Sequence, residues 1–364
     1  MRLRRITLQH LRNIPFADLS ADGLRQFVLG RNGQGKSNLL EAIGFLTALR
    51  SFRTNDSKLM VAHGQAEAAM GFELDHAKRG PTCIGMRLRA GSKEVTVDNE
   101  KVTRLAGYIG QFPTVVFSSQ DQQLIRGSPA GRRRWMDLTL AAADDSYLQT
   151  LQSYHRALGE RNALLKAGAT DGEFAAFEHL LAEHGARLVV ARNEGLERLG
   201  ACLEEAYVRI ATRGGRERPG FAYAANVSAI SPADLEARLA EGRGRDTRFR
   251  TTLTGPHRDD LEITLDGRPA REVASEGQER SLVLGLRLAQ AEWFRVHSGT
   301  PPVILADDVL GELDAERRAG FWSTLPREWQ VIATGTELPD TPGEDWQVIQ
   351  VENGHFATEA RSPA

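Results

Sequence analysis

The sequence predicts an α/β fold: a mixed sheet that carries a phosphate-binding loop, an antiparallel β subdomain and an inserted α-helical arm lobe. Three observations predict it. A short apolar strand, a glycine-rich loop and an amphipathic helix follow one another from Phe27 to Ile43. Between Met70 and Val102, apolar and polar residues alternate, as in half-buried strands. From 131 to 203, apolar residues instead recur every three or four positions, as in helices.

The glycine-rich loop matches the pattern G-x-x-x-x-G-K-[ST] without a mismatch. Glycines let backbone N–H groups converge on phosphate oxygens, and the following helix points the positive end of its dipole at them. Lys36 is predicted to reach the β- and γ-phosphates, and the Ser37 hydroxyl to ligate Mg²⁺. The loop therefore predicts that the chain binds a nucleoside triphosphate. Its residues are Gly30, Arg31, Asn32, Gly33, Gln34, Gly35, Lys36 and Ser37.

Length and composition narrow the class of protein. The 364 residues, 41% of them hydrophobic, suffice for a large core in two lobes or domains. A net charge of −2 excludes a uniformly basic nucleic-acid binder but is compatible with a local basic patch. Two distant cysteines, Cys83 and Cys202, are typical of a reduced compartment, and no apolar run reaches the ~18 residues of a membrane span. We therefore expect a cytoplasmic protein without membrane segments.

The remaining strands follow from alternation and turn residues, taken in chain order. Strands are predicted over 3–8 and 26–29, ahead of the loop, and over 113–117, after the antiparallel meander. Further strands are predicted over 251–253, 261–265, 303–306 and 329–334, with hairpin turns at Asp266–Gly267 and Asn353–Gly354.

Helical spacing covers 131–165 and 174–203, and the glycines between 168 and 172 interrupt it. Two long helices joined by a short turn form a helical hairpin or arm, and a coiled coil is the alternative. A further helix is predicted over 278–297. The predicted domains are an N-terminal head part over 1–129, the helical arm lobe over 130–249 and a C-terminal head part over 250–364.

The apolar strand over 303–306 ends in two carboxylates, Asp307 and Asp308. A short buried strand places them at the carboxyl edge of the sheet, beside the phosphate-binding loop. There Asp307 is predicted to hold Mg²⁺ directly or through water, and Asp308 to orient or deprotonate the attacking water. Two acidic residues after a strand are weak evidence alone, but together with Gly30–Ser37 they indicate one nucleotide site.

A second anion-binding helix terminus is suggested by Ser275 and Gly277, which precede the helix over 278–297. An ordinary helix cap at Ser275 explains this segment equally well when it is taken alone. The order of the motifs favours the anion-binding interpretation: phosphate-binding loop, long insertion, Ser-Glu-Gly-Gln helix, Asp-Asp strand.

This order resembles the ABC-type ATPase head of SMC-like proteins that act on DNA. Within that group the chain is similar to the RecF family of bacterial recombination and repair ATPases, over nearly its full length. The segments that carry the resemblance are Gly30–Ser37, Leu40–Ile43, Arg50–Arg53, Arg132–Arg134, Thr254–Leu261, Ser275–Gln278 and Asp307–Asp314. The sequence Gly-Pro-His-Arg-Asp-Asp at 255–260 is the most specific of them.

The resemblance implies further roles. Ser275, Gly277 and Gln278 would belong to the signature motif, which caps the γ-phosphate of ATP held by another subunit. Gln120 would lie in the loop that senses Mg²⁺ and nucleotide, and Asp314 in the D-loop that begins at Gly311. The family also implies a homodimer with ATP, binding to single-stranded, double-stranded or gapped DNA, and the mediator proteins RecO and RecR as partners in loading recombinase.

Some positions depart from the family pattern. Ser119-Gln120 stands where Pro-Glu is usual, and Glu279 where Gln is common. ABC ATPases at large carry Glu at the position of Asp308 and a switch His near Thr334, whereas the RecF family tends to share the Asp and to lack the His. A shorter base and no such histidine imply slow hydrolysis, as in a switch rather than a pump, and the family resemblance implies a weak ATPase that DNA stimulates.

Three alternatives remain open. An ABC transporter ATPase subunit predicts a shorter insertion and does not explain the segment 255–260. A small-molecule P-loop kinase predicts a lid with catalytic arginines and no signature helix. A structural DNA-binding protein with a vestigial ATP site is disfavoured by the intact Lys36, Ser37 and Asp307–Asp308.

Two Gly/Arg-rich clusters, 213–218 and 243–250, are candidate DNA contacts. Solvated loop charge explains each of them equally well, and Arg132–Arg134 is explained by helix-start residues that pack on the head. No base-reading module is visible, so any DNA binding is expected through the backbone.

Overall fold

The computed structural model describes residues 1–54, 56–89, 91–168, 170–211, 217–227, 231–309, 313–338 and 345–358. The chain divides into two compact units. The head unit comprises Met1–Asp121, Glu205–Arg216 and Arg280–Ala364, and the arm unit comprises Gln122–Glu204 and Glu217–Glu279.

The strands and helices alternate in an order that suits an α/β protein with insertions. The strands are β1 (Arg2–Leu11), β2 (Ile14–Ser20), β3 (Arg25–Leu29), β4 (Glu67–His76), β5 (Gly80–Arg89), β6 (Ser92–Val97), β7 (Glu100–Lys101), β8 (Thr114–Ser118), β9 (Pro219–Ala224), β10 (Asp260–Leu265), β11 (Arg268–Pro269), β12 (Val303–Asp307), β13 (Val331–Gly335), β14 (Gln347–Glu352) and β15 (His355–Thr358). The helices are α1 (Lys36–Ala48), α2 (Gln123–Arg126), α3 (Pro129–Ala141), α4 (Asp145–Ala167), α5 (Asp171–Ile210), α6 (Pro232–Phe249), α7 (Ala270–Val273), α8 (Glu276–Ser298) and α9 (Ala315–Thr324). Short 3₁₀ turns lie at Ser57–Met60, Leu105–Gly107, Ser119–Gln122 and Pro256–Arg258.

Two sheets build the head unit. The antiparallel sheet has the strand order β2-β1-β4-β5-β6-β7, and the mixed sheet has the order β15-β14-β3-β13-β12-β8. In the mixed sheet β14, β3, β13, β12 and β8 pair in parallel, and β15 pairs antiparallel with β14. The predicted mixed sheet and antiparallel subdomain are confirmed.

One apolar core joins the two sheets to α1. Its members include Leu8, Phe72 and Ile84 from the antiparallel sheet, Leu40 and Ile43 from α1, and Val28, Leu305 and Ile332 from the mixed sheet. Each such side chain contributes ~1.5–3 kcal/mol when it is buried fully. This core therefore fixes the position of α1, and with it the glycine-rich loop that precedes the helix.

The arm unit combines the three-stranded sheet β11-β10-β9 with helices that pack on α5. A Cβ at Gly195 of α5 would lie 2.5 Å from Leu140 of α3, and one at Gly185 would lie 2.8 Å from Leu235 of α6. The absence of side chains at these two positions lets α3 and α6 approach α5 closely. The predicted helical arm lobe is thus a packed helical layer beside a small sheet.

The segment 255–260, the most specific in the sequence, is held by two buried arginines of the arm unit. Arg192 lies 3.2 Å from the Asp259 carboxylate. Arg132 donates two hydrogen bonds, of 2.9 and 2.7 Å, to the Asp260 carboxylate. Buried charges of this kind are tolerated only when they are paired and hydrogen-bonded. The acidic pair in this segment therefore has a structural role within the arm unit.

The structure corrects several predicted elements. The helix predicted over 131–165 is two helices, because the Asp144 carboxylate accepts a hydrogen bond from Ser146 N and caps α4. Strands β2 and β9 and helix α9 have no counterpart in the prediction.

The arginine-rich run over 243–249 belongs to helix α6, so it is not the loop that one of the two interpretations of this cluster assumed. Its Asp246 is buried and lies 2.7 Å from the buried Arg161, so a paired charge holds this part of the helix in place. Residues 251–253 are not a strand. The N–H groups of Thr252 and Leu253 donate to the side chains of Asn162 and Asp246 instead of to a neighbouring strand.

The two units differ from the predicted domain boundaries at 129/130 and 249/250. Strand β10 belongs to the arm unit because it pairs with β9 along its whole length, from Asp260↔Ala224 to Leu265↔Pro219. The arm unit also extends back to Gln122 and forward to Glu279.

His257 makes the stability of the arm unit depend on pH. Burial, with smaller contributions from the nearby Arg258 and His155 charges, lowers the pKa of His257 to about 4, although the hydrogen bond to the Thr252 carbonyl oxygen opposes the shift. The unfolded histidine has a pKa of ~6.5. Between pH ~6.5 and pH 4, His257 is protonated in the unfolded chain but remains neutral in the folded chain. His257 therefore contributes stability that is fully present above pH ~6.5 and is lost as the pH falls towards 4, up to about 3 kcal/mol.

Replacement of His257 by Gln should accordingly flatten the decrease in unfolding free energy between pH 7 and pH 4.5. Urea denaturation across this range measures the effect. His179→Gln is the matched control, since His179 is exposed on α5. Parallel pH profiles for the parent and His257→Gln would show that His257 does not carry this dependence.

Candidate nucleotide-binding site

The predicted phosphate-binding loop and the Asp307–Asp308 pair meet at the carboxyl edge of the mixed sheet. Strand β3 runs into the loop Gly30–Ser37, and β12 ends at Asp307. Asp307 pairs in register with Ser118 at the end of β8. Parallel strands end at the same edge, which brings the motifs together: Lys36 Nζ lies 3.9 Å from the Asp308 carboxylate.

Three glycines set the path of the loop. Gly33 and Gly35 have φ angles of 81° and 116°, in a region that side-chain-bearing residues rarely adopt. At Gly30 a Cβ would lie 2.6 Å from the carbonyl oxygen of Val351 in β14. The backbone geometry and the packing on β14 therefore both require glycine here.

Lys36 is almost fully buried, with 3% of its surface exposed. Its Nζ donates to the carbonyl oxygens of Gly30 (2.7 Å) and Arg31 (3.3 Å) and to Asn32 Oδ1 (3.3 Å). The loop thus wraps around the ammonium group and holds one positive charge at its centre.

Two neighbouring turns anchor the loop from outside. The β14–β15 turn donates to Gln34 twice, from Gly354 N to its carbonyl oxygen (2.9 Å) and from Asn353 N to its Oε1 (2.6 Å). The side chain of Asn13, at the β1–β2 turn, donates to the Gly33 carbonyl oxygen at 3.1 Å. The sequence predicted the hairpin turn but not its contact with the loop.

Hydroxyl groups surround the Asp307 carboxylate. Ser37 Oγ donates to Asp307 Oδ1 at 2.8 Å, and Thr334 Oγ1 donates to the same oxygen at 3.1 Å. Thr334 Oγ1 also accepts from Asp308 N at 3.0 Å, which fixes Asp308 in a left-handed conformation with φ 56°. The sequence analysis did not identify Thr334 as a site residue. Its position near the carboxyl end of β13, the strand that pairs with β12, could have indicated it.

Burial raises the pKa of the Asp307 carboxyl, and the adjacent Asp308 carboxylate adds to the rise. A buried carboxylate and a hydroxyl are hard oxygen donors, the type that Mg²⁺ prefers, so Ser37 and Asp307 fit this ion. Within the described ranges no group of three or more His, Cys, Asp or Glu side chains could hold a metal. Phosphate oxygens would have to complete the coordination, as is usual for Mg²⁺.

A buried ion-pair network fixes α1 behind the loop. Glu41 has no exposed surface, and its two carboxylate oxygens each accept from Arg12 at 2.8 Å. Ser51 Oγ donates to the same carboxylate, and Arg53 lies 3.6 Å from it. Asn38, which lies three residues before Glu41 on α1, accepts a hydrogen bond from Arg53 at 2.6 Å.

Glu41→Ala should destabilise the head unit by about 2–4 kcal/mol, because it leaves Arg12 partly buried without its partner. Urea unfolding measures the loss. Glu67→Ala is the matched control, since it breaks a pair with Arg89 in which both side chains are exposed; we expect no measurable change in the free energy of unfolding. Equal effects of the two substitutions would contradict the structural role of Glu41.

The segment Ser275–Gln278, which is predicted to belong to the signature motif, forms a capping box at the start of α8. Ser275 N donates to Gln278 Oε1 at 2.8 Å, and Gln278 N donates to Ser275 Oγ at 3.3 Å. Gln278 Nε2 also donates to Glu217 Oε1 at 2.8 Å. The helix cap is therefore present, and the exposed Ser275 stands at a helix N-terminus that can attract an anion.

The two remaining predicted residues are exposed. Gln120 lies in the 3₁₀ turn that follows β8, two residues beyond Ser118. Asp314 caps α9, where its carboxylate accepts from Arg317 N at 2.9 Å. Gly311, where the D-loop was predicted to begin, lies outside the described residues.

Comparison with known proteins identifies the family. The DNA replication and repair protein RecF of Rippkaea orientalis is 34% identical over 379 residues, which cover 97% of this chain and 99% of the relative. The protein of the same name from Symbiobacterium thermophilum is 38% identical over 329 residues and covers 87% of this chain and 86% of the relative. The chain belongs to the RecF family. No protein-family model matches the sequence.

Solved structures agree with this assignment. A structure of the recombination mediator protein RecF with ATP, in the RecFOR pathway, superposes with a TM-score of 0.90 at 29% identity, over 99% of this chain and 98% of that one. The Smc head domain of Pyrococcus furiosus matches with a TM-score of 0.54 at 14% identity, over 98% of this chain and 96% of that one. The fold is thus that of RecF and of SMC-type ABC ATPase heads.

Glu279, which stands where Gln is common in the RecF family, forms an ion pair with Arg126. The Glu279 carboxylate is buried and accepts from Arg126 Nε at 3.1 and 2.8 Å, within the arm unit. This pair supplies the compensating charge that a buried Glu requires. Sequence reasoning missed Arg126, which lies far from Glu279 along the chain.

The predicted arginine clusters separate into different environments. Arg213 and Arg216 lie outside the described residues, and Arg218 is exposed. Arg243 is half-buried and lies 2.5 Å from the buried Glu178. Arg245 is exposed, as are the later arginines of this cluster. Among the helices that the structure describes, none has the length and apolarity needed to cross a bilayer.

Proposed function

We propose that this chain is an ATP-dependent switch in DNA repair and recombination. It binds ATP with Mg²⁺, dimerises on ATP and binds DNA at gaps or junctions. In this proposal it helps mediator proteins of the RecO and RecR type to load recombinase. Its ATPase activity is weak and stimulated by DNA, and it acts in the cytoplasm.

One observation carries the proposal. The buried ammonium of Lys36, the Ser37 hydroxyl and the Asp307–Asp308 carboxylates lie at one sheet edge. This edge belongs to a chain whose fold superposes on a RecF structure that was solved with ATP. The names of the relatives, which refer to DNA replication and repair, support the action on DNA.

Each residue of the edge has a chemical role in the proposal. Lys36 exchanges its hydrogen bonds to the loop carbonyls for bonds to the β- and γ-phosphate oxygens. Ser37 and Asp307 would hold Mg²⁺, which would neutralise phosphate charge when bound. Asp308, whose side chain is 42% exposed, orients the attacking water and accepts its proton. Gln120 and Asp314 complete the nucleotide contacts.

The fixed backbone of Asp308 limits the rate of ATP hydrolysis in this proposal. An Asp side chain is one methylene shorter than the Glu of most ABC ATPases, and its hydrogen bond from N–H to Thr334 limits how far it reaches. We therefore expect slow turnover, which suits a switch whose ATP-bound state must persist while other proteins assemble.

ATP turnover with and without gapped duplex DNA tests the proposal. Stimulation by DNA, together with DNA binding that requires ATP, is the expected result. Turnover that DNA does not change would favour a transporter ATPase subunit or another P-loop NTPase. DNA binding without ATP binding would favour a structural DNA-binding protein with a vestigial site.

A further inference from the structure

We propose that the C-terminal end of α6 binds single-stranded DNA, with one base stacked on Phe249 and phosphates beside Arg245, Arg248 and Arg250. This inference rests on the proposed DNA-binding function. It identifies the form of the DNA that this surface takes and the contact that recognises it. These four residues are called the Arg-Phe patch below.

Phe249 is the first observation. Its side chain is 61% exposed, the largest value among the exposed large hydrophobic residues of the described chain. No ring contact or cation–π contact involves it in the described residues. An aromatic ring with most of its surface in solvent contributes little to the core of the arm unit. It is instead available for stacking.

The three arginines lie close to Phe249 along the end of α6. Arg245 and Phe249 are four residues apart, and Arg245 and Arg248 three apart, so the three side chains share one face of α6. Arg250 follows in a left-handed conformation with φ 53°, and its N–H bonds back to Asp246 and Thr247 carbonyl oxygens. This turn ends the helix and keeps Arg250 next to Phe249.

The charges of the patch are not used inside the protein. The side chains of Arg245, Arg248 and Arg250 are exposed and form no ion pair with another described residue. Arg243, two residues before the patch, is instead half-buried and paired with Glu178 at 2.5 Å. Arg243 therefore has a structural role, whereas Arg245, Arg248 and Arg250 are exposed to solvent.

The acidic groups close to the Arg-Phe patch do not cancel its positive charge. Asp246 is buried and paired with Arg161 at 2.7 Å, so its charge is already neutralised. Glu241 is exposed one turn before Arg245 and offsets one of the three positive charges. The patch keeps a net positive charge beside an open aromatic ring.

The combination favours single-stranded nucleic acid over other occupants. Arginines at the end of a helix are favourable next to the helix dipole, which accounts for Arg248 and Arg250 but not for an open Phe249. A DNA duplex offers phosphates but hides the faces of its bases in the stack. A single strand offers both phosphates and open base faces, and stacking on an aromatic ring tolerates any base.

A double-mutant cycle, which combines a protein variant with a DNA variant, tests the stacking directly. The parent and Phe249→Ala are titrated by fluorescence anisotropy against a labelled single strand and against a strand of equal length that carries abasic sites. Phe249→Ala should weaken binding of the normal strand about tenfold. The parent should lose a similar factor on the abasic strand, and Phe249→Ala should lose nothing more on it. Phe249→Trp should restore binding of the normal strand.

Charge removal supplies a second readout. Arg245→Ala and Arg248→Ala should weaken both strands alike and reduce the salt dependence of binding. Leu180→Ala and Arg187→Ala are matched controls: both residues are exposed on α5 in the same unit, and we expect no change.

The outcomes separate this inference from the proposed function. Unchanged binding by Phe249→Ala, or an equal loss on the normal and abasic strands, overturns the stacking site. If gapped duplex is still bound with ATP, the proposed function stands. Binding of an acidic protein but of no single strand would reassign the patch and overturn the inference. A parent protein that binds no form of DNA overturns both proposals.

Discussion

Lys36→Ala should strongly weaken ATP binding and abolish ATP hydrolysis. The ammonium group is buried, and the loop holds it with three hydrogen bonds of 2.7–3.3 Å. Its removal leaves the β- and γ-phosphates in a buried site without their facing charge. We expect an affinity loss of about 100-fold, or ~3 kcal/mol, with loss of hydrolysis. Calorimetric titration with ATP measures the affinity.

Asp308→Asn separates binding from chemistry in the same site. The amide keeps the shape of the side chain but does not accept a proton from water, so ATP should bind and persist unhydrolysed. Lys101→Ala is the control for lysine removal, since Lys101 is exposed on the antiparallel sheet and pairs with Glu94. Equal loss of ATP binding in Lys36→Ala and Asp308→Asn would disprove the role assigned to Asp308.

Ser275→Arg should bind ATP normally but fail to dimerise on it. In the ABC arrangement that this family implies, the signature helix does not reach the ATP held by its own Lys36 and meets the γ-phosphate on a second copy. Two ATP molecules would then be buried in a self-complementary interface. ATP would then add contacts that the monomer lacks, so it would shift the equilibrium towards the dimer, and ADP, which lacks the γ-phosphate, would release it.

The structure supplies a matched control for this substitution. Ser275 is exposed and its Oγ accepts from Gln278 N, so Ser275→Arg also removes a helix cap worth ~1 kcal/mol. Ser231 caps α6 in the same way, with Asp234 N as the donor at 3.1 Å. Ser231→Arg should lose the same stability yet dimerise like the parent.

Sedimentation velocity in the Asp308→Asn background with ATP decides the question. The parent of this series should be a tight dimer, and the nucleotide-free protein a monomer or weak dimer. A mixture of Ser275→Arg and Lys36→Ala chains, both without Asp308→Asn, should restore at most one of the two composite sites. If Ser275→Arg dimerises with ATP as well as Ser231→Arg does, the signature assignment is wrong.

The sequence by itself determined the parts of the site whose physics is local. The strand, glycine loop and helix around Lys36 are contiguous, and the φ angles of Gly33 and Gly35 are ones that favour glycine. The Asp-Asp strand was also predictable, because a short apolar run and its position in the motif order place Asp307 at the sheet edge. Family resemblance then supplied the fold, which the comparisons confirmed.

Only the tertiary structure decided how these parts are held. Thr334 joins Asp307 to Asp308, and Glu41 binds Arg12, through contacts between residues far apart in the chain. In the α6 run that ends at Phe249, the buried Asp246 pairs with Arg161 of α4, a contact that the sequence did not predict. Local sequence carries propensities and periodicity, but the partner of a buried charge is set by which elements pack together, and that is decided by the whole fold.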